Sequence, residues 1–208
     1  MALQRIYGLA LALMVMATLG LAGCSTVVWE TAKKLRENRL SEDQFTDSKI
    51  GATLMAGLAE QNLGLLIDVN ADVWETRVLL TGMVTDSGVR KEVVRKVRGD
   101  KRILKVYDEI QVVSAAEQAK RREAAKAMSA QAAANQPDND FWVETKISAK
   151  LVSAQDVISV NYRWRSVRNT LYVIGRAQSK QEMTQVLALI KATDGVARIK
   201  SFIEIKAG

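Results

Sequence analysis

From Asp47 onward the apolar residues alternate between two rhythms. In DSKIGATLMAGLAE, Ile50, Leu54 and Leu58 recur at i, i+4 and i+8, one face of a helix. Asp47 is expected to cap that helix, its carboxylate accepting a free N–H of the first turn. LLIDV and RVLLTGMV then read as strands joined by a polar turn near NADVWET. SGVRKEVVRKVRGD returns to the helical period with Val89, Val93 and Val97 inward, and ILKVYDEIQVV closes as a third strand rich in β-branched residues.

The same order returns from Asp140. DFWVETKISAKLVSA carries Val143, Ile147 and Leu151 on one helical face. VISVNYRW and NTLYVIGRA repeat the strand pair, SKQEMTQVLALIKATDG is a helix with Met183, Val186, Leu187 and Ile190 inward, and VARIKSFIEI is the last strand. Gly175 follows Gly82 by 93 residues and Ile203 follows Ile110 by 93, whereas Ile147 follows Ile50 by 97. On that count the first copy holds four extra residues before its glycine. The fold class is α+β, with two tandem αββαβ units, each a three-stranded mixed sheet covered by two helices. A unit of ~65 residues is marginal for an independent core, so the two copies are expected to pack on each other. Gly82 and Gly175 sit where a bulge or a close backbone approach needs a residue without Cβ; a ligand contact is the alternative. Gly195 is a third structural glycine, ahead of the last strand.

These patterns divide the chain into residues 1–23, a stalk at 24–46, a first unit at 47–113, a linker at 114–139 and a second unit at 140–206. The linker is Ala-rich and charged, without an apolar stripe, and reads as a solvated helix giving way to a flexible tether. At the N-terminus, Arg5 precedes an apolar run of about 14 residues, short of the roughly 20 of a bilayer span. Charge, short apolar run and small residues in that order form a secretory signal peptide. Its end, Leu21-Ala22-Gly23-Cys24, resembles the bacterial lipobox, in which the signal is cut before a cysteine that carries diacylglycerol through sulfur. An ordinary signal peptide with a chance Cys is the alternative. Cys24 is the one cysteine of the chain. Ser25, the residue after it, resembles the outer-membrane sorting pattern rather than inner-membrane retention.

With 30 Lys and Arg against 23 Asp and Glu, the chain carries +7. In an exported protein that charge points to anionic lipid or an acidic polymer, and export argues against nucleic acid. There is no His, which removes the commonest general base and metal ligand, and acylation of Cys24 would remove the one thiol. No catalytic residue, metal ligand set or cofactor is expected, and the chain reads as non-enzymatic.

The αββαβ order, the Asp at the first helix, the Gly after the second strand and Asp194-Gly195-Val196 before the last strand resemble the BON domain. Two copies behind a lipobox resemble the dual-BON-domain outer-membrane lipoproteins of Gram-negative bacteria. The first copy departs from the pattern, with Lys101-Arg102-Ile103 in place of Asp-Gly-Val. The resemblance implies binding of anionic phospholipid, support of envelope integrity, a lipid-anchored position on the periplasmic face of the outer membrane, and a contact made by an aromatic at the start of the second copy's first helix. That position is Trp142.

Residue chemistry points the same way. Trp142, Lys146 and Lys150 form a stripe beside the core stripe, an indole with two ammonium groups suited to a headgroup layer. A second candidate is YRWRSVRN, where Arg163, Arg165 and Arg168 surround Trp164. A third is the basic helix of the first copy, with Arg90, Lys91, Arg95, Lys96 and Arg98, followed by Lys101, Arg102 and Lys105. Each of the three also reads as an ordinary solvated face. The rival function is a lipid-anchored adaptor that docks an envelope protein or cell-wall component.

Overall fold

The computed structural model describes residues 40–129 and 140–206; the N-terminal segment 1–23 expected to be a signal peptide, Cys24 and most of the expected stalk lie outside the described residues. The first copy runs through helix α1 (Ser41–Gln61), a single-turn helix α2 (Leu65–Asp68), strands β1 (Val69–Trp74) and β2 (Arg77–Val84), helix α3 (Ser87–Arg98) and strand β3 (Lys105–Val112). Helix α4 (Ala115–Ser129) follows. The second copy comprises α5 (Asp140–Ser153), a 3-10 turn (Ser159–Asn161), β4 (Tyr162–Val167), β5 (Thr170–Ala177), α6 (Lys180–Lys191) and β6 (Arg198–Ile205).

Each sheet has three strands in sequence order. β1 pairs antiparallel with β2 and β2 parallel with β3; β4, β5 and β6 repeat this. The parallel pair needs a crossover, and α3 or α6 supplies it. Alternation along β2 divides its residues between two faces. Val78, Leu80 and Val84 meet Ile50, Leu54, Leu58, Val93 and Val97 beneath the helices. Leu79 and Met83, with Trp74, meet Val167, Tyr172 and Ile174 of the other copy. Val143, Ile147 and Leu151 build the corresponding core under α5 and α6. The result is a four-layer stack, helices–sheet–sheet–helices, within one compact unit spanning residues 38–208. The two copies do pack on each other.

The structure corrects several sequence expectations. Buried positions Ile50, Leu54 and Leu58 correspond to Val143, Ile147 and Leu151, a constant spacing of 93 with no insertion. The 97 arose because an i, i+4, i+8 stripe looks the same when slid by one turn. Asp47 is not an N-cap: α1 begins at Ser41 and Asp47 is buried inside it. Its carboxylate accepts the N–H groups of Glu75 (2.7 Å) and Thr76 (2.8 Å) in the β1–β2 turn. Asp140 does the equivalent for Arg168 N–H at 3.2 Å. Both turns place two non-glycine residues at positive φ, Glu75 and Thr76, then Arg168 and Asn169, the geometry of a two-residue hairpin turn; the aspartates hold those turns closed. LLID is a helical turn rather than strand, with β1 starting at Val69. Helix α4 is not merely solvated. Gln118 donates to Asp68 (2.8 Å) and to the Met83 carbonyl (3.2 Å), and Arg122 pairs with the buried Asp68 carboxylate.

Gly82 and Gly175 mark the close approach. At Gly82, φ is +125° and a Cβ would lie 1.9 Å from the Asp68 carbonyl oxygen; at Gly175 it would lie 2.2 Å from that of Asn161. Gly195 has φ +93° and its carbonyl accepts from Asn169 Nδ2 at 2.9 Å.

Candidate functional site

Helix α5 has four distinct sides. Val143, Ile147 and Leu151 are buried. On one flank Asp140 and Glu144 are tied to β4: Ser166 Oγ donates to Asp140 at 2.7 Å and Ser166 N–H to Glu144 at 2.7 Å. On the other flank stand Trp142, Lys146 and Lys150, all half-buried. The outward side carries Phe141, 43% exposed, and Val152, 64% exposed. The Phe141 and Trp142 rings meet edge to face at 5.7 Å. Lys150 donates to the Ala192 carbonyl at 2.5 Å, closing the C-terminus of α6, where an ammonium also complements the helix dipole. The helix therefore presents apolar rings and a valine beside Lys146, the arrangement of an interfacial helix. Phe141 and Val152 were missed in the sequence. Their signal was that both are large, apolar and off the buried stripe.

Arg163, Trp164 and Arg165 are engaged elsewhere. Trp164 packs against the core beneath α5 and α6 and donates from Nε1 to the Glu144 carbonyl at 3.3 Å. Its neighbours point to the opposite face of β4, toward the first copy. Arg163 lies over the Trp74 ring at 5.2 Å, and Arg165 Nε stands 3.2 Å from Asp72 Oδ2, with Glu144 at 3.6 Å. This stretch joins the copies. Arg168, from the same stretch, pairs with Glu117 at 3.5 Å and donates to Gln111 at 3.2 Å.

Residues 139–207 are a BON domain. The match runs from the residue before α5 to the one after Lys206, so α5 opens the BON domain. Over 143 residues, 69% of this chain and 85% of the other, the chain is 29% identical to an uncharacterized protein in the gshII 5' region of Anaplasma centrale. Among solved structures, CdsD, a structural protein of the type III secretion system of Chlamydia trachomatis, aligns at 12% identity and a TM-score of 0.31, over 76% of this chain and 92% of that one. Its C-terminal domain aligns at 13% identity and a TM-score of 0.29, over 73% and 95% of the two chains.

The BON domain meets the first copy across an approximate two-fold relation. The Tyr107 and Phe202 rings meet at 4.3 Å, tilted by 38°, and Lys200 pairs with Glu109 at 2.5 Å. Positions 107 and 200 are equivalent under the 93-residue repeat, as are 109 and 202. The same two positions thus meet twice, once as rings and once as an ion pair, as in a symmetric dimer interface. Asp72 and Arg165 are likewise equivalent positions and face each other as opposite charges. Around them, burial pushes the Asp72 carboxyl upward, against the pull of Arg165 and Arg163. Burial also raises Glu144, opposed by the Ser166 N–H and Arg165 and assisted by Asp140 and Asp72. A carboxyl raised in the folded state keeps its proton to higher pH than in the unfolded chain, where it titrates near 4. Through that window the folded state binds more protons, so these groups' contribution to stability falls as pH rises and levels off above their folded values. The stability of wild type relative to Asp72→Asn is therefore expected to decline as pH rises above about 4, as read by paired thermal melts. A difference that grew with pH would contradict the assignment.

Proposed function

We propose that the protein is a non-enzymatic lipoprotein, anchored through Cys24 to the outer membrane on its periplasmic face, that binds anionic phospholipid through its BON domain and supports envelope integrity. The observation that carries the reading is the BON domain at residues 139–207, a module associated with phospholipid binding, opening on a helix whose outward side and one flank carry Phe141, Trp142, Lys146 and Val152. Shallow insertion of the rings and pairing of Lys146 with lipid phosphate is the mechanism; Lys150 contributes its charge from the C-terminus of α6. Among the described residues, no helix is long and apolar enough to cross a membrane, so attachment would rest on the acyl chains and this contact together. Two weak attachments in one chain raise effective concentration.

Co-sedimentation of residues 25–208 with vesicles tests the reading. Binding is expected to phosphatidylglycerol vesicles, not neutral ones, and to weaken with salt. Burying a large apolar side chain stabilises by about 1.5–3 kcal/mol, so Trp142→Ala is expected to weaken binding roughly tenfold or more. Equal pelleting of both proteins, or of neither, would refute the site.

A further inference from the structure

We propose that the groove between α3 and the outer edge of β3 binds an extended acidic peptide segment of a partner protein. β3 ends its sheet: among the described residues β2 pairs with it on one side and no strand lies on the other. Beside that edge lies an open groove of about 720 Å³, floored by Val94 and Val112 and rimmed by Arg90, Lys91, Arg95 and Arg98. Asp108 holds Arg90 at 3.0 Å and Glu92 holds Arg95 at 2.6 Å. Among the described residues, Lys91 and Arg98 have no ion-pair partner. The floor is apolar and the rim is in cationic excess. Beside them runs the strand edge, where the Ile110 N–H donates to Asp108 Oδ1 at 3.3 Å and the remaining outward backbone groups are placed to pair with an incoming strand.

The BON domain supplies an internal comparison. The positions equivalent to Arg90, Lys91, Arg95 and Arg98 are Met183, Thr184, Ala188 and Lys191. Three of the four basic positions therefore belong to the first copy alone and are no requirement of the αββαβ fold. A peptide fits better than a lipid for two reasons. An incoming strand satisfies the edge N–H and C=O groups, which acyl chains leave unmet. In addition, α3 and α5 cover opposite outer faces of the four-layer stack, so a flat surface under α5 does not face the groove. The inference does not rest on the lipid reading.

Fluorescence anisotropy tests it with the full chain in neutral detergent. The probes are a short labelled peptide of alternating glutamate and valine, and its lysine–valine counterpart. Saturable binding of the acidic peptide alone is expected. Arg95→Glu with Arg98→Glu is expected to weaken it roughly tenfold, and the milder pair Lys91→Ala with Arg98→Ala to weaken it measurably. Lys180→Glu with Lys191→Glu, on the BON domain's equivalent face, and Trp142→Ala are expected to leave it unchanged. No saturable binding would overturn the proposal, leaving the charges as guards of an exposed edge. Equal weakening by the Lys180/Lys191 pair would overturn it in favour of general attraction to a basic chain. Unchanged peptide binding by the Arg95/Arg98 pair, with loss of binding to phosphatidylglycerol vesicles, would assign the groove to lipid.

Discussion

Gly82→Ala is expected to destabilise the protein by at least about 3 kcal/mol, since a strained backbone and an unavoidable clash are among the few single changes of that size. The added Cβ would lie 1.9 Å from the Asp68 carbonyl oxygen and 3.0 Å from Val69 Cα, on a residue with φ +125°. Asp68 cannot simply step aside, because its side chain is held by Gln118 and Arg122. At 2–4 °C per kcal/mol for a chain of this size, the melting temperature should fall by roughly 6 °C or more. Gly175→Ala is expected to behave alike. Gly57→Ala is the control: nothing lies within 4 Å of its Cβ in α1, and helix propensity predicts a gain of up to about 1 kcal/mol. A Gly82→Ala melt matching wild type would contradict the close approach.

Arg77→Met is expected to cost about 3 kcal/mol and to loosen the two copies from each other. Arg77 begins β2 and is 2% exposed. Its guanidinium donates across the interface to the carbonyls of Phe202 and Gly175, both at 3.1 Å, with Glu204 at 3.3 Å and Glu75 at 3.9 Å. Removing one partner of a buried ion pair costs about 3–5 kcal/mol. The lower end applies here because Glu75 keeps Arg176 at 3.5 Å and Lys206 at 2.7 Å. Calorimetry should show a lower transition that broadens or divides. A single unshifted transition would show that the sheet-to-sheet apolar contact holds the copies without it.

The helical stripes and the strand order were legible because period carries them: Ile50-Leu54-Leu58 and Val143-Ile147-Leu151 are helix faces whatever surrounds them. What could not be read depends on distant partners. Asp47 looks like a cap until Glu75 and Thr76, 28 and 29 residues away, are seen to donate to it. Arg163 and Arg165 alternate with Trp164 as in any half-exposed strand. Sequence gives the alternation but not what covers the second face, which here is the other copy. Arg77, a buried charge at a strand start, had no local signal. For the site, Trp142 and Lys146 were visible as a stripe, whereas the Lys150 contact with Ala192 depends on a helix end 42 residues away.

Hydrogen exchange of residues 25–208, with and without phosphatidylglycerol vesicles, reports where on the protein lipid contact occurs. Slowed exchange is expected in Asp140–Ser153, with α1 and α3 unchanged. Vesicle-bound protein with no slowing in that helix, or with slowing centred on Ser87–Arg98, would contradict the proposed site.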